Sequence, residues 1–309
     1  MKQTLFTLLL FTTVCSMSCR KDKSEPDIKT YDEQQIQSYI TANGLSGMQR
    51  DTTGGDTTGI YYKVISQGTG DQVSYSDKVS FVYTLRSFDG KFIASDTVLN
   101  HFDGFLGHVT PNGLGLSILN ILKNKGSKMR VLIPSHLAYG KNGVGSGSTT
   151  VQNGRIAGNQ CLDYTLFLIN NQDEYDDIVI QNYMAANGLS GYTKTASGLY
   201  YKITTVGSGT VPVTDNSTVT VNYTGKLMNN TLFNDFSTTT TTFNDFAGGN
   251  ISPGFVEGLK LMTTGGAISL ILPSRLAFGT AGIASSTTVS IPADACIRFD
   301  ISNVTVTNP

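Results

Sequence analysis

Apolar and polar residues alternate along this chain in patterns that predict both strands and helices. Residues 219–224, Val-Thr-Val-Asn-Tyr-Thr, alternate with a period of two, which is typical of a strand with one buried face. In 32–40 and 176–184 the apolar residues instead recur at positions i, i+3 and i+4, which predicts two amphipathic helices. Acidic residues open both stretches, Asp32 and Asp176, and suit the positive end of a helix dipole. Each stretch is followed by Asn-Gly, which suits a helix C-terminal cap because glycine tolerates positive φ.

The remaining pattern predicts one internal helix and several further strands. The helix is expected within 254–262, where Phe255, Leu259 and Met262 are spaced to share one face. Long strands are expected at 198–203, 267–272 and 295–306. Antiparallel strands wrapped on one short helix belong to the α+β class, which is the fold class that we predict.

One segment of the chain occurs twice. Leu-Pro-Ser-Arg-Leu-Ala-Phe-Gly at 272–279 repeats Ile-Pro-Ser-His-Leu-Ala-Tyr-Gly at 133–140, 139 positions earlier, and a similar offset separates other short motifs. A constant offset over separate motifs indicates a duplicated domain, and 309 residues can bury two cores of ordinary size. We therefore predict two tandem domains, 31–172 and 173–309, each beginning with its own leading helix.

The first 30 residues form no part of either predicted domain. Residues 1–18 carry Lys2 ahead of an apolar run that is too short to span a bilayer, which is typical of a signal peptide. Ser18 directly before Cys19 resembles a bacterial lipoprotein cleavage site, so we expect lipidation of Cys19 and anchoring in the cell envelope, at the outer membrane. The alternative is an ordinary secretory signal in which Cys19 is incidental. Residues 19–30 are charged and predict a flexible tether.

The net charge, the cysteines and the histidines indicate which kinds of partner and site this chain is not expected to have. The formal net charge is −1 and the basic residues are scattered, so no nucleic-acid partner is expected. Cys161 and Cys296 hold matching places in the two repeats; an exported chain could oxidise them, but two buried free thiols are the preferred interpretation. His101, His108 and His136 share no metal-ligand spacing, so we expect exposed or loop histidines and predict neither a metal site nor a cofactor.

Several motifs of the second repeat follow one another in a fixed order. They are Tyr-Thr-Gly-Lys-Leu at 223–227 with Phe233 after it, Pro-Gly-Phe at 253–255, the 272–279 segment, and Ile-Pro-Ala-Asp-Ala-Cys-Ile-Arg-Phe-Asp at 291–300. Together they resemble the FKBP-type peptidyl-prolyl cis-trans isomerases from about Ser197 to the C-terminus. The first repeat carries the same series more weakly, and the lipoprotein start and leading helices resemble secreted Bacteroidetes members of the family.

The resemblance implies an enzyme that needs no nucleophile and no cofactor. Rotation about an X-Pro bond has a barrier of about 18–20 kcal/mol because amide resonance is lost in the twisted state. A dry aromatic pocket that grips the proline ring favours this twisted state, whose dipole is reduced. The implied partners are therefore proline-containing polypeptide clients, and the implied site is a set of aromatic walls.

Carried over residue by residue, the resemblance places a site in the second repeat. Its walls are Tyr223, Phe233 and Phe299, its floor is Phe255, the pair whose backbone receives the ligand is Ile251 and Ser252, and its rim is Ile291. Asn234 stands where the family has Asp, although Asp235 could take that role with a shift of one residue. Phe278 stands where the family has Tyr and lacks a hydroxyl that can bond a substrate carbonyl. These departures imply weakened or altered activity.

The first repeat departs further from the family pattern. Its corresponding substrate-binding positions are Tyr83, Leu114, Tyr139, Ile156 and Tyr164, with leucine in place of the floor aromatic. Ile93 and Ala94 stand where the family has Phe and Asp. Because only three tyrosines of the aromatic enclosure remain, we expect a degenerate, non-catalytic copy kept for packing or peptide capture.

A run of five threonines, 238–242, lies between two copies of Phe-Asn-Asp-Phe. We interpret the run as a flap beside the pocket.

Two hypotheses for the function of the whole chain remain. In the first, a monomer isomerises X-Pro bonds mainly through its second domain and assists the folding of exported proteins. In the second, it is a non-catalytic peptide-binding or scaffold lipoprotein of the cell envelope.

Overall fold

The computed structural model of the chain describes residues 27–53, 55, 58–244, 246, 251–284 and 289–309. The predicted signal peptide at 1–18, Cys19 and the tether as far as residue 26 lie outside the described residues. The first helix begins at Ile28, so the last three residues of the predicted tether are helical. Within the described ranges, no helix combines the length and the apolar character needed to cross a membrane.

The first repeat is an antiparallel sheet with a leading helix and one short internal helix. Its elements are α1 Ile28–Ala42, β1 Gln49–Arg50, β2 Tyr61–Ser66, β3 Lys78–Ser87, β4 Ile93–Ala94, β5 His101–Phe105, α2 Asn112–Ser117, β6 Lys128–Ile133 and β7 Leu162–Ile169. The strand order is β1-β2-β6-β7-β3-β4, and β5 also pairs with β3.

The second repeat has the same plan. Its elements are α3 Gln172–Ala186, β8 Thr193–Lys194, β9 Tyr200–Thr205, β10 Thr218–Leu227, β11 Leu232–Phe243, α4 Pro253–Leu259, β12 Ala267–Leu272 and β13 Ile297–Thr307. The strand order β8-β9-β12-β13-β10-β11 reproduces that of the first sheet, and all pairings are antiparallel. The predicted α+β class and the duplication are therefore confirmed.

Each repeat has a hydrophobic core of its own. In the second repeat, Phe255, Leu259 and Met262 are buried together against β12 and β13, as their spacing predicts. Leu114 and Ile118 take the corresponding place in the first core. The short internal helix is thus held by burial of one face, which is the usual source of stability for a helix of this length.

The leading helices begin four residues earlier than predicted, and this changes the role of their buried aspartates. Helix α3 is capped by the side chain of Asn171, so Asp176 lies in its second turn. There Asp176 is buried and accepts hydrogen bonds of 2.7 Å from both the backbone N–H and the hydroxyl of Ser274. In α1, buried Asp32 accepts from the N–H of His136 at 3.1 Å and lies 2.8 Å from its Nδ1. The prediction that Asp32 and Asp176 interact with the helix dipole is therefore wrong. Their hydrogen bonds hold each leading helix against its own repeat.

The threonine run belongs to a strand. Strand β11 contains 238–242 and pairs with β10, with a shift in register between Val221 and Tyr223. Threonine is β-branched and favours extended backbone, and Thr241 and Thr242 pair with Val221 and Thr220 at the edge of the sheet. Residues 237–240 lie in the register shift. The predicted flap is therefore wrong for Thr241 and Thr242, and it stays a prediction for 238–240.

The two remaining cysteines are free and buried, as predicted. Burial raises the pKa of the Cys161 thiol, and it raises that of Cys296 well above its ordinary value. Because the thiolate is the reactive form, both groups are chemically inert packing residues.

Candidate active site

A cavity of about 220 Å³ opens between the second sheet and the start of helix α4. It is lined by Tyr223, Asn234, Phe243, Ile251, Ser252, Phe255, Phe278, Ile283 and Phe299. Seven of the ten second-repeat site residues predicted from the sequence are therefore brought together. None of the described lining residues is an aspartate, glutamate, histidine, lysine or arginine.

The aromatic rings of the cavity meet in edge-to-face and tilted pairs. The Phe255 ring, in the first turn of α4, lies 4.8 Å from Phe299, 5.4 Å from Tyr223 and 5.1 Å from Phe243, measured between ring centroids. The Tyr223 and Phe299 rings are 6.0 Å apart. These separations are those of favourable aromatic pairs, so the rings hold one another in place around the opening.

Two predicted residues, Phe233 and Ile291, lie behind the cavity lining. Phe233 is buried in the core and packs edge to face on Phe299, with 5.7 Å between the ring centroids. A Cβ atom at Gly225 would lie 2.4 Å from the Phe233 ring and 3.0 Å from that of Phe299. Glycine in the Tyr-Thr-Gly motif therefore leaves the space that both rings need. Ile291 is buried and exchanges backbone hydrogen bonds of 2.8 and 2.9 Å with Ile283 of the lining.

Asn234, and not Asp235, faces the cavity. The Asn234 amide donates a long hydrogen bond of 3.5 Å to the hydroxyl of Tyr223. Asp235 is exposed, and its carboxylate accepts from the hydroxyl and the N–H of Ser237 at 2.6 and 3.1 Å. Residues alternate between the two faces of a strand, so adjacent residues of β11 point opposite ways. The suggestion that Asp235 could supply the family's acidic group by a shift of one residue is therefore wrong.

Ser252 caps helix α4 without using its side chain. Its backbone oxygen accepts from Phe255 and Val256, but its hydroxyl makes no capping bond. That hydroxyl oxygen is buried and has no hydrogen-bond partner within the described part of the chain. Ile251 precedes it in the lining, and Phe278 closes the opposite side without a hydroxyl. Among the described lining residues, the polar side-chain groups are thus those of Ser252, Asn234 and Tyr223.

Sequence reasoning missed two lining residues, Phe243 and Ile283. Phe243 ends strand β11, and its ring lies 5.8 Å from that of Tyr223. The signal was present in the second Phe-Asn-Asp-Phe copy, but the assignment of the threonine run to a flap removed Phe243 from the sheet. Ile283 could not be identified from the sequence, because its place depends on the bridge to Ile291.

The matching positions of the first repeat pack into its hydrophobic core. Leu114, Ile156 and Tyr164 are each only 2% exposed. Tyr83 and Tyr139 are partly buried against the same core, and the Tyr83 ring lies 5.6 Å from that of Tyr164. Burial raises the pKa of Tyr164 well above its usual value. The five predicted positions are therefore together, packed as a core.

The second repeat is similar in sequence to a known protein family. Residues 209–303 match the family described as FKBP-type peptidyl-prolyl cis-trans isomerase. The FKBP-type peptidyl-prolyl cis-trans isomerase FkpA of Aeromonas hydrophila is 37% identical over 131 residues, which are 42% of this chain and 46% of that protein. The peptidyl-prolyl cis-trans isomerase FKBP9 of Mus musculus is 26% identical over 250 residues, 80% of this chain and 38% of that protein. A match of that length runs across both repeats.

Among solved structures, the crystal structure of FkpA from Escherichia coli is similar with a TM-score of 0.37 and 29% identity, covering 44% of this chain and 61% of that chain. The chain spans less than half the length of the two relatives from Aeromonas and mouse. All nine residues that line the aromatic cavity lie within the 209–303 match. The second repeat therefore contains a domain of the FKBP-type peptidyl-prolyl cis-trans isomerase family.

Proposed function

We propose that the second repeat catalyses the cis-trans isomerisation of X-Pro bonds in polypeptides that enter the aromatic cavity. The observation that carries the proposal is the enclosure itself, in which Tyr223, Phe255 and Phe299 are joined by Phe243 around about 220 Å³. The identity of 37% with a protein named as an isomerase supports it.

The proposed mechanism is stabilisation of the twisted imide in an apolar surround. Twisting breaks amide resonance and costs about 18–20 kcal/mol, and each 1.36 kcal/mol removed from that barrier gives a tenfold rate increase. The rings would hold the proline ring while water is excluded from the bond. Burial raises the pKa of Tyr223, so its hydroxyl keeps its proton at neutral pH and can donate to a client carbonyl.

The first repeat is proposed to be non-catalytic. Leu114 stands in place of the floor ring Phe255, and only Tyr83, Tyr139 and Tyr164 of the aromatic enclosure remain. A repeat of this kind can still bind peptides or support its neighbour, which is the role we assign to it.

The natural setting of the proposed activity follows from the N-terminal sequence. We propose that the chain is exported, that Cys19 carries a lipid anchor in the cell envelope, and that a monomer acts on exported proline-containing clients without a cofactor. Labelling with a radioactive fatty acid should mark the wild type and leave Cys19→Ala unlabelled. Equal labelling of both would exclude Cys19 as the anchor.

Prolyl isomerisation is tested directly by NMR exchange on a Leu-Pro or Phe-Pro peptide, with the soluble region from Arg20. Tyr223→Ala should abolish the acceleration, whereas the matched change Tyr83→Ala should leave it within about twofold. A folded wild-type sample with no acceleration would exclude the enzyme. The chain would then be the alternative, a non-catalytic peptide-binding or scaffold lipoprotein.

A further inference from the structure

The segment between β4 and β5 of the first repeat lies against the second repeat. Asp96 shapes this segment, since its carboxylate accepts from the N–H of Val98 at 2.9 Å and its backbone oxygen accepts from Asn100 at 2.9 Å. The other carboxylate oxygen of Asp96 accepts from the side-chain amide of Asn229, 2.8 Å away in the turn between β10 and β11. Val98 packs against the hydrophobic core of the second repeat. The segment that contains Asp96 and Val98 thus contacts the second repeat through both a hydrogen bond and apolar packing.

A second contact between the repeats joins His101 of the first repeat and Asp294 of the second. Their side chains are buried, 5% and 6% exposed, and His101 Nε2 lies 3.9 Å from Asp294 Oδ2. The same nitrogen is 2.6 Å from the Ser80 hydroxyl, and the ring meets Tyr175 of helix α3 edge on at 6.3 Å. The sequence-based expectation of an exposed or loop histidine is therefore wrong for His101.

Two further carboxylates, those of Asp103 and Asp176, act on this pair. Burial raises the pKa of the Asp294 carboxyl to about 6, and the Asp103 and Asp176 carboxylates add to the effect. Burial lowers the pKa of His101, against the attraction of Asp103. Asp294 therefore occupies a position where an ionised carboxylate is poorly solvated, which is an unusual environment for an aspartate.

Asp294 lies within the segment that shapes the aromatic cavity. It sits between rim residue Ile291 and wall residue Phe299, and its N–H donates to the backbone oxygen of Gly279 at 2.9 Å. Gly279 directly follows Phe278 of the lining. Asp294 therefore joins the two stretches of backbone that carry Phe278, Ile291 and Phe299.

The first repeat shows that the turn itself does not need a carboxylate. Asn159 holds the position equivalent to Asp294, with φ of 56° against 54°. Its N–H donates to Gly140 at 2.8 Å, as that of Asp294 does to Gly279. Asn159 is exposed, however, and Asp294 is buried against the first repeat. The local turn is satisfied by asparagine, so the turn itself does not require the carboxylate that lies 3.9 Å from His101.

We propose that the segment 96–101 of the first repeat positions the active site of the second, with His101 acting through Asp294 on the rim and walls of the cavity. The inference rests on the proposed isomerase function and assigns the non-catalytic repeat a task in it. His101 touches no client and is a positioning residue: it holds the segment 291–299 in the arrangement that grips proline.

The test compares His101→Ala and Asp294→Asn with wild type in the full chain. His108→Ala is the matched control, because it removes an exposed imidazole of the same repeat. Asp294→Asn is compatible with the turn, as Asn159 demonstrates. Two measurements are made: KM and kcat for a Leu-Pro peptide, and amide hydrogen exchange of the second repeat.

A positioning role predicts that KM rises about fivefold in both variants, that kcat changes less than about twofold, and that His108→Ala matches wild type. The amides of Ile283, Ile291 and Asp294 should exchange about tenfold faster, because they are the bonds that hold the rim. Unchanged exchange at these three amides, with faster exchange confined to the first repeat, would overturn the inference. If wild type shows no isomerase activity, the proposed function fails, and the exchange measurement still decides whether the first repeat holds the rim.

Discussion

Replacing Phe255 by leucine would give the second pocket the floor residue that the first repeat already has, Leu114. The change removes ring contacts with Phe299, Tyr223 and Phe243 at 4.8, 5.4 and 5.1 Å. Each such pair contributes about 0.5–1.5 kcal/mol beyond area burial, so the three together are worth about 1.5–4.5 kcal/mol before repacking. Leucine fills part of the space, so we expect the free energy of unfolding to fall by about 2 kcal/mol.

The effect of Phe255→Leu on catalysis should be separable from its effect on stability. The lost rings are those that would grip proline, so kcat/KM should fall about 10- to 100-fold, equivalent to about 1.4–2.8 kcal/mol of transition-state stabilisation. NMR exchange on a Leu-Pro peptide measures this at a temperature where the variant is fully folded. Unfolding is followed by circular dichroism, since the chain contains no tryptophan.

Phe233→Leu is the matched control for Phe255→Leu. Phe233 is also buried but lies behind the cavity and packs on Phe299 alone among these rings, at 5.7 Å. We expect its loss to cost about 1 kcal/mol of unfolding free energy while kcat/KM stays within about twofold. Full activity of Phe255→Leu, or an equal loss in Phe233→Leu, would refute the view that the aromatic floor is the catalytic feature.

Three further predictions concern buried polar groups. Asp176→Ala should lower the free energy of unfolding in urea by about 3 kcal/mol, because the N–H and hydroxyl of Ser274 lose their acceptor. Asp176→Asn keeps an acceptor oxygen and should lower it much less. Equal losses in the two variants would contradict this explanation. Because the folded pKa of Asp294 is raised from 3.8 to about 6, its stabilising contribution is complete below pH 4 and is lost as the pH rises through 6. Asp294→Asn should remove that slope from unfolding free energies measured at pH 4.5 and 7.5, and an unchanged slope would show that another group is responsible. Ser252→Ala should leave the melting temperature unchanged or raise it, since it deletes a buried hydroxyl that lacks a partner, and a clear fall would mean that the hydroxyl is bonded.

Much of the fold and part of the site could be predicted from local sequence. The duplicated Pro-Ser segment established the tandem, and the spacing of Phe255, Leu259 and Met262 placed the internal helix, because burial of one face leaves a periodic trace. The aromatic walls could be named because the motifs that contain them resemble those of the FKBP-type family. The repeat and the helix, in contrast, are determined by neighbours in the chain.

The features that sequence reasoning missed depend on contacts between distant segments. Asp176 looks like a first-turn acidic residue until the helix is seen to begin at Asn171 and Ser274 is seen beside it. Phe243 joins the cavity only through the pairing of β11 with β10. His101 meets Asp294 across 193 positions of sequence, and no periodicity encodes that contact.

The separate cores of the two repeats also bear on how a duplicated gene can change. A substitution within the first core, such as one at Leu114, removes no atom from the core that contains Phe255. The packing of one core can therefore change while the other keeps its side chains. Duplication with separate cores thus allows the two copies to diverge independently, provided that the contact surface between them is kept.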